Sequence, residues 1–91
     1  MIAVVVTVTI DAGKEEEAKQ RLREGLVPML KASPGFVAGY WFEPEGNTGR
    51  SIVFFDSEEQ ARAVVPPVGG RPPGVPVTIE TVELRGVIAS A

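Results

Sequence analysis

The spacing of the apolar residues changes in a fixed order along the chain, and that order restricts the fold more than any single motif does. In IAVVVTVTI, residues 2–10, β-branched side chains alternate across two faces, which predicts a strand. Ile2, Val4, Val6, Val8 and Ile10 fall on one face, and Ala3, Val5, Thr7 and Thr9 on the other. From Lys14 to about Lys31 the spacing becomes helical, with Ala18, Leu22, Leu26, Met29 and Leu30 in one stripe. Asp11 stands where it would cap this helix, and Glu15, Glu16 and Glu17 crowd its first turn, where the macrodipole favours acids. Glu15 with Lys19 and Glu17 with Arg21 are spaced as i,i+4 pairs. Gly25 and Pro28 interrupt the stripe, so a kink is expected near residues 24–28.

The helix stops before Ser33-Pro34-Gly35. A second strand is expected from Phe36 to about Glu43, then the hairpin loop PEGNTG and a third strand from Arg50 to Phe55. Ser57 and Gln60 form a capping box that opens a short helix through about Val65. The run PPVGGRPPGVP, Pro66 to Pro76, excludes regular structure. A fourth strand follows from Val77 to about Val87. Its apolar positions shift from odd (Val77, Ile79) to even (Val82, Leu84), which predicts a bulge or a change of partner. No repeat or domain boundary interrupts residues 1–91, so one domain is expected. The fold class is α+β: a ferredoxin-like βαββαβ unit with a four-stranded antiparallel sheet of order 4-1-3-2. That order makes strands 1 and 3 central, in keeping with AVVV and IVFF, and puts Glu80 and Glu83 on an edge.

Two helices cover one face of such a sheet. Yet Val5, Val37, Trp41, Val53 and Phe55 cannot all share that face with Val4, Val6, Phe36, Ile52 and Phe54. A second apolar face is larger than monomers usually leave in water, and another copy of the same sheet is the simplest cover. A homodimer through the sheet faces, closing a shared barrel, is therefore expected. With this layout, the SPGFVAGYWF entry to strand 2 and the FFDSEEQA passage from strand 3 to helix, the chain resembles the dimeric α+β barrel superfamily. Within it, the chain is similar to the antibiotic biosynthesis monooxygenase-like group. The resemblance implies a dimeric α+β barrel with a ligand cavity between sheet and helices or within the barrel. It also implies a choice among cofactor-free monooxygenases, haem-degrading enzymes, isomerases and proteins without a known role.

Composition removes the haem-degrading enzymes and any branch that depends on histidine acid-base chemistry. The chain has no Cys and no His, so thiolate metal sites, cysteine nucleophiles, Ser-His-Asp hydrolysis and histidine-ligated haem are excluded. No metal and no cofactor are expected. A net charge of −3, with nine basic residues scattered along the chain, argues against nucleic acid as a partner. The apolar N-terminal stretch is shorter than the ~20 residues a bilayer demands and lacks the features of a signal peptide. A cytoplasmic protein without membrane contact is expected.

Four residues are candidates for a ligand site: Gly39, Tyr40, Trp41 and Arg50. Tyr40 and Trp41, the only Tyr and Trp, alternate across strand 2 and can serve as packing residues or as an aromatic wall. A glycine inside a strand often marks a close approach by another group, so Gly39 and Trp41 are expected to border a small apolar cavity on the side of Val37, with Tyr40 opposite. Arg50 is either a strand-end charge paired with Glu43 or a partner for an anion. Glu80 and Glu83 fall on opposite faces unless the phase slip intervenes. Either is an edge charge, or a base if turned into an apolar interior. The Pro66 to Pro76 loop is a lid or a stiff spacer. The expected function is the binding of a small apolar or aromatic molecule. The alternative is cofactor-independent oxygenation of a polycyclic phenol or quinol, and no catalytic residue is assigned.

Overall fold

A computed structural model describes residues 1–91. Strand β1 (Ile2–Ile10) leads into helix α1 (Glu15–Arg21), a π-helical turn (Leu22–Leu26) and helix α2 (Val27–Lys31). Strands β2 (Phe36–Trp41) and β3 (Thr48–Phe55) follow, then helix α3 (Glu58–Arg62) and strand β4 (Val77–Gly86). The strands form one antiparallel sheet in the order β2-β3-β1-β4, the expected 4-1-3-2 read from the other edge. This is the ferredoxin-like α+β arrangement, with β1 and β3 central.

The interruption expected near Gly25 and Pro28 takes the form of the π-turn. Pro28 has no N–H, and its ring would press on the Glu24 carbonyl in a regular α-helix. The chain widens by one residue instead, and Val27 N–H donates to the Leu22 carbonyl five residues back. Helical dihedrals persist throughout the turn's flanks, so α1 and α2 run on as one rod. Three expectations about this rod are corrected. Asp11 does not cap it, because the N-cap position is Lys14 and makes no side-chain bond; the Asp11 carboxylate binds Arg71 instead. Lys19 pairs with Glu16 and Glu43, not Glu15, and Glu17–Arg21 is not formed. Met29 is largely exposed and lies outside both core clusters. The Ser57 cap of α3 is present: its Oγ accepts from Gln60 N–H at 3.2 Å.

Both edge strands carry a bulge. In β4, Thr7 pairs with Thr81 but Val8 pairs with Ile79, leaving Glu80 as the extra residue. Val77, Ile79, Val82 and Leu84 thereby all join β1's even positions on one face, as the phase slip anticipated. In β2, Phe36 pairs with Phe55 but Ala38 pairs with Phe54, which leaves Val37 as the extra residue.

This second bulge and the β1–β3 register correct the expected division of faces. Val4 lies opposite Val53 and Ile2 opposite Phe55, so Val53 and Phe55 belong with Val4 and not with Val5. Phe36 and Trp41 join them, while Val37 is exposed. The helices pack on this face: Val4, Leu30, Val53, Phe55 and Ala61 form the main core cluster. Ile10, Ala18 and Val77 form a second, smaller one. The opposite, open face carries Ala3, Val5, Ala38, Tyr40, Ile52 and Phe54, with no helix over it. Val53→Asp or Phe55→Asp would therefore strike the core and not an intermolecular contact.

Candidate functional site

Between the helix-facing side of the sheet and the helices lies a cavity of about 660 Å³. Its floor is made by even positions of β1, by Gly49, Ser51 and Val53 of β3, and by Val77 and Ile79 of β4. Leu22, Leu26 and Leu30 form the helical wall. The third side is the Pro66 to Pro76 loop, which contributes four of its prolines, Pro66, Pro67, Pro72 and Pro73. Two small residues help to keep the floor low. Ser51 sits opposite Val6, and Gly49 opposite Val8; a Cβ on Gly49 would come within 3.0 Å of a Val8 methyl.

Of the sequence candidates, Trp41 and Arg50 border this cavity, whereas Gly39 and Tyr40 do not. The Trp41 indole lies back across Gly39, so that a Cβ at residue 39 would come within 2.6 Å of the ring. Gly39 thus leaves room for the six-membered ring of the indole, and Trp41 is the residue that borders the cavity. Tyr40 stands on the open face, 58% exposed. Arg50 lies at the rim, at a register position opposite Thr7, and its guanidinium is 3.6 Å from Glu45 and not paired with Glu43. Glu80 accepts a 2.9 Å hydrogen bond from Thr9 on the open-face side. Glu83, opposite Val5, pairs with Arg85 at 2.9 Å. The bulge therefore brings both acids to the open face, and neither turns into the apolar interior.

Sequence reasoning missed the groups that fasten the rim. Lys19 of α1 reaches Glu43, beyond the end of β2, at 3.1 Å. The Lys19 ammonium is held more firmly protonated than usual, first by its hydrogen bond to Glu43. On another side, both terminal nitrogens of Arg71 contact the two Asp11 carboxylate oxygens, and one also donates to Thr78 Oγ1 at 2.7 Å. This fork-on-carboxylate geometry ties the proline loop to the end of β1. Two backbone bonds reinforce it: Gly69 N–H to the Ile79 carbonyl at 2.6 Å and Ile79 N–H to the Gly70 carbonyl at 2.9 Å. The available signal was that Arg71 is the one charge in an otherwise apolar Pro/Gly run.

The hydrogen bond from Arg71 holds the Asp11 carboxyl below its ordinary value of 3.8. A depressed carboxylate stabilises the fold fully above the unfolded-state value and loses that contribution as pH falls through the folded one. Asp11→Asn should therefore lower the urea midpoint at neutral pH. The gap between variant and parent should close progressively as the pH drops below about 4. A gap unchanged down to pH 2 would show that the ion pair does not fasten the loop.

No charged side chain is buried, and no three carboxylates converge as metal ligands would. Away from the rim, the Ser51 side chain is the one hydroxyl that borders the cavity. What the arrangement offers chemically is an apolar chamber of aliphatic side chains with Trp41, Phe42 and Phe55, and charges at its rim. No helix is long and apolar enough to cross a membrane. A family model described as antibiotic biosynthesis monooxygenase matches residues 1–64, which leaves the proline loop and β4 outside the matched span. No curated protein matches the chain.

Proposed function

The chain belongs to the antibiotic biosynthesis monooxygenase family, and from that premise we propose that it binds a small apolar or aromatic molecule in the cavity between sheet and helices, as a homodimer joined through the open sheet face. The observation that carries the binding reading is the cavity itself. Its 660 Å³ lies in the usual range for small-molecule sites, and its interior is walled by aliphatic and aromatic side chains with charges at the rim. The dimer rests on Val5, Ile52, Phe54 and Tyr40, which lie together on a face that no intramolecular element covers.

Trp41 supplies the test. It is the only tryptophan, and it borders the cavity, so its emission reports occupancy without a label. Titration with naphthalene should shift or quench that emission saturably. Filling the chamber from two sides with Val6→Phe and Leu22→Phe should weaken the response at least roughly fivefold, since overpacked space no longer admits the ring. A response that survives both substitutions places the ligand elsewhere.

Cofactor-free oxygenation is the second reading, favoured by the family description. It needs a substrate anion that passes an electron to O₂, and therefore groups that stabilise that anion. Trp41 is at the cavity for stacking, but Tyr40 is on the other face and Arg50 is occupied by Glu45. Binding ranks first for that reason.

A further inference from the structure

The charges around the cavity are not a sample of the chain's. Overall the protein has nine basic and twelve acidic residues, yet the cavity is bordered by Lys19, Arg23, Arg50 and Arg71 against the single carboxylate of Glu43. Three of these cations are already engaged: Lys19 by Glu43 and Glu16, Arg50 by Glu45, and Arg71 by Asp11. Arg23 has no ion-pair partner within the protein. It sits in the π-turn, between Leu22 and Leu26, and all three border the cavity. That turn replaces a regular helical turn at the cavity wall, and such insertions recur at functional sites.

We propose that the ligand is an amphipathic monoanion, an apolar body carrying one carboxylate, with its body in the chamber and its carboxylate on the Arg23 guanidinium. The inference rests on the binding reading above and adds the polar end of the ligand. One uncommitted guanidinium offers a planar fork that matches a carboxylate with two parallel N–H donors. A phosphate monoester would bring close to two charges and ask for further donors, which the rim has already spent on Glu43, Glu45 and Asp11. A neutral ligand would leave Arg23 as the one rim cation without a counter-charge, so charge complementarity favours the acid.

The experiment follows Trp41 emission while the protein is titrated with two pairs of probes, decanoate against decanol and 4-butylbenzoate against 4-butylbenzyl alcohol. Each pair keeps the body and changes the charge; comparing the pairs distinguishes an aliphatic from an aromatic source. The acid should bind roughly fivefold or more tighter than its alcohol in at least one pair. Arg23→Gln should abolish that preference while leaving the alcohol's affinity unchanged, and Arg23→Lys should retain part of it. Arg62→Gln, which removes an exposed pair with Glu58 on α3, serves as the remote control and should leave the preference intact. Alcohols binding as well as acids in both pairs, or a preference untouched by Arg23→Gln, would overturn the inference and leave the apolar cavity standing. Failure of all four probes to bind would overturn the binding reading, and this inference with it.

Discussion

Replacing Phe55 with alanine should lower the free energy of unfolding by roughly 3–5 kcal/mol, the range for removing a buried phenyl ring. Phe55 is 1% exposed, the most deeply buried large side chain in the protein. It joins the strand floor to the helices, within one cluster with Val4, Val53, Leu30 and Ala61. Its ring meets Phe36 edge to face, with centroids 6.1 Å apart and planes at 85°, a geometry that adds to area burial. The loss falls at the upper end if the neighbours cannot close the void, and the existing cavity beside Phe55 leaves few atoms free to do so. Phe42, 57% exposed, is the internal comparison: its replacement by alanine should change stability by no more than about 0.5 kcal/mol. Urea unfolding at one fixed protein concentration measures both, with concentration held constant because the proposed assembly would contribute to apparent stability. Equal effects at the two positions would mean that the core is not centred where Phe55 lies.

The second large effect concerns assembly. Phe54 is next in sequence to Phe55 but faces the open side, paired with Ala3 and Ala38. Phe54→Asp should raise the dissociation constant of the proposed homodimer roughly a hundredfold or more, because a two-fold contact buries the new carboxylate twice, while Arg85 on the same face is already paired with Glu83. Light scattering over a concentration series should show the parent at twice the chain mass and the variant at the chain mass. Helical content by circular dichroism should be retained if the change acts at the surface of the folded chain. A parent that already scatters as a monomer at micromolar concentration would remove the basis of the dimer.

These adjacent phenylalanines show where sequence legibility ended. The strands, their order and the two helices are readable because the periods of two and of three to four residues are long and clean. The β4 bulge is readable as well, since its apolar residues visibly change phase between Ile79 and Val82. The β2 bulge is not, because FVAGYWF is apolar at either parity and a one-residue slip leaves no mark on the pattern. That hidden slip exchanges the faces of Phe36 and Val37, and the β1–β3 register, equally unmarked in the pattern, puts Val53 and Phe55 with Val4. Asp11 fails for a different reason. Its local position suits a cap, but Arg71, distant in sequence, offers a charged fork that a helix N-terminus does not match. The cavity is a property of how elements stand apart and not of any residue. Even so, Gly39 within a strand signals a close approach, and the group that approaches it is the Trp41 indole.

The proline loop sets how the chamber behaves when nothing occupies it. A flexible flap of that length would have to surrender its freedom each time a molecule entered, and much of the contact energy would go into ordering it. Here five prolines between residues 66 and 76 restrict the chain before it folds, and the Arg71 fork and the Gly69 and Gly70 backbone bonds hold the result. The ordering entropy is thus spent during folding and not at the moment of encounter. For the proposed ligand, the vacant chamber would then keep the shape of the filled one, and selectivity would act by exclusion, through the size and outline of a wall that does not adapt to what arrives.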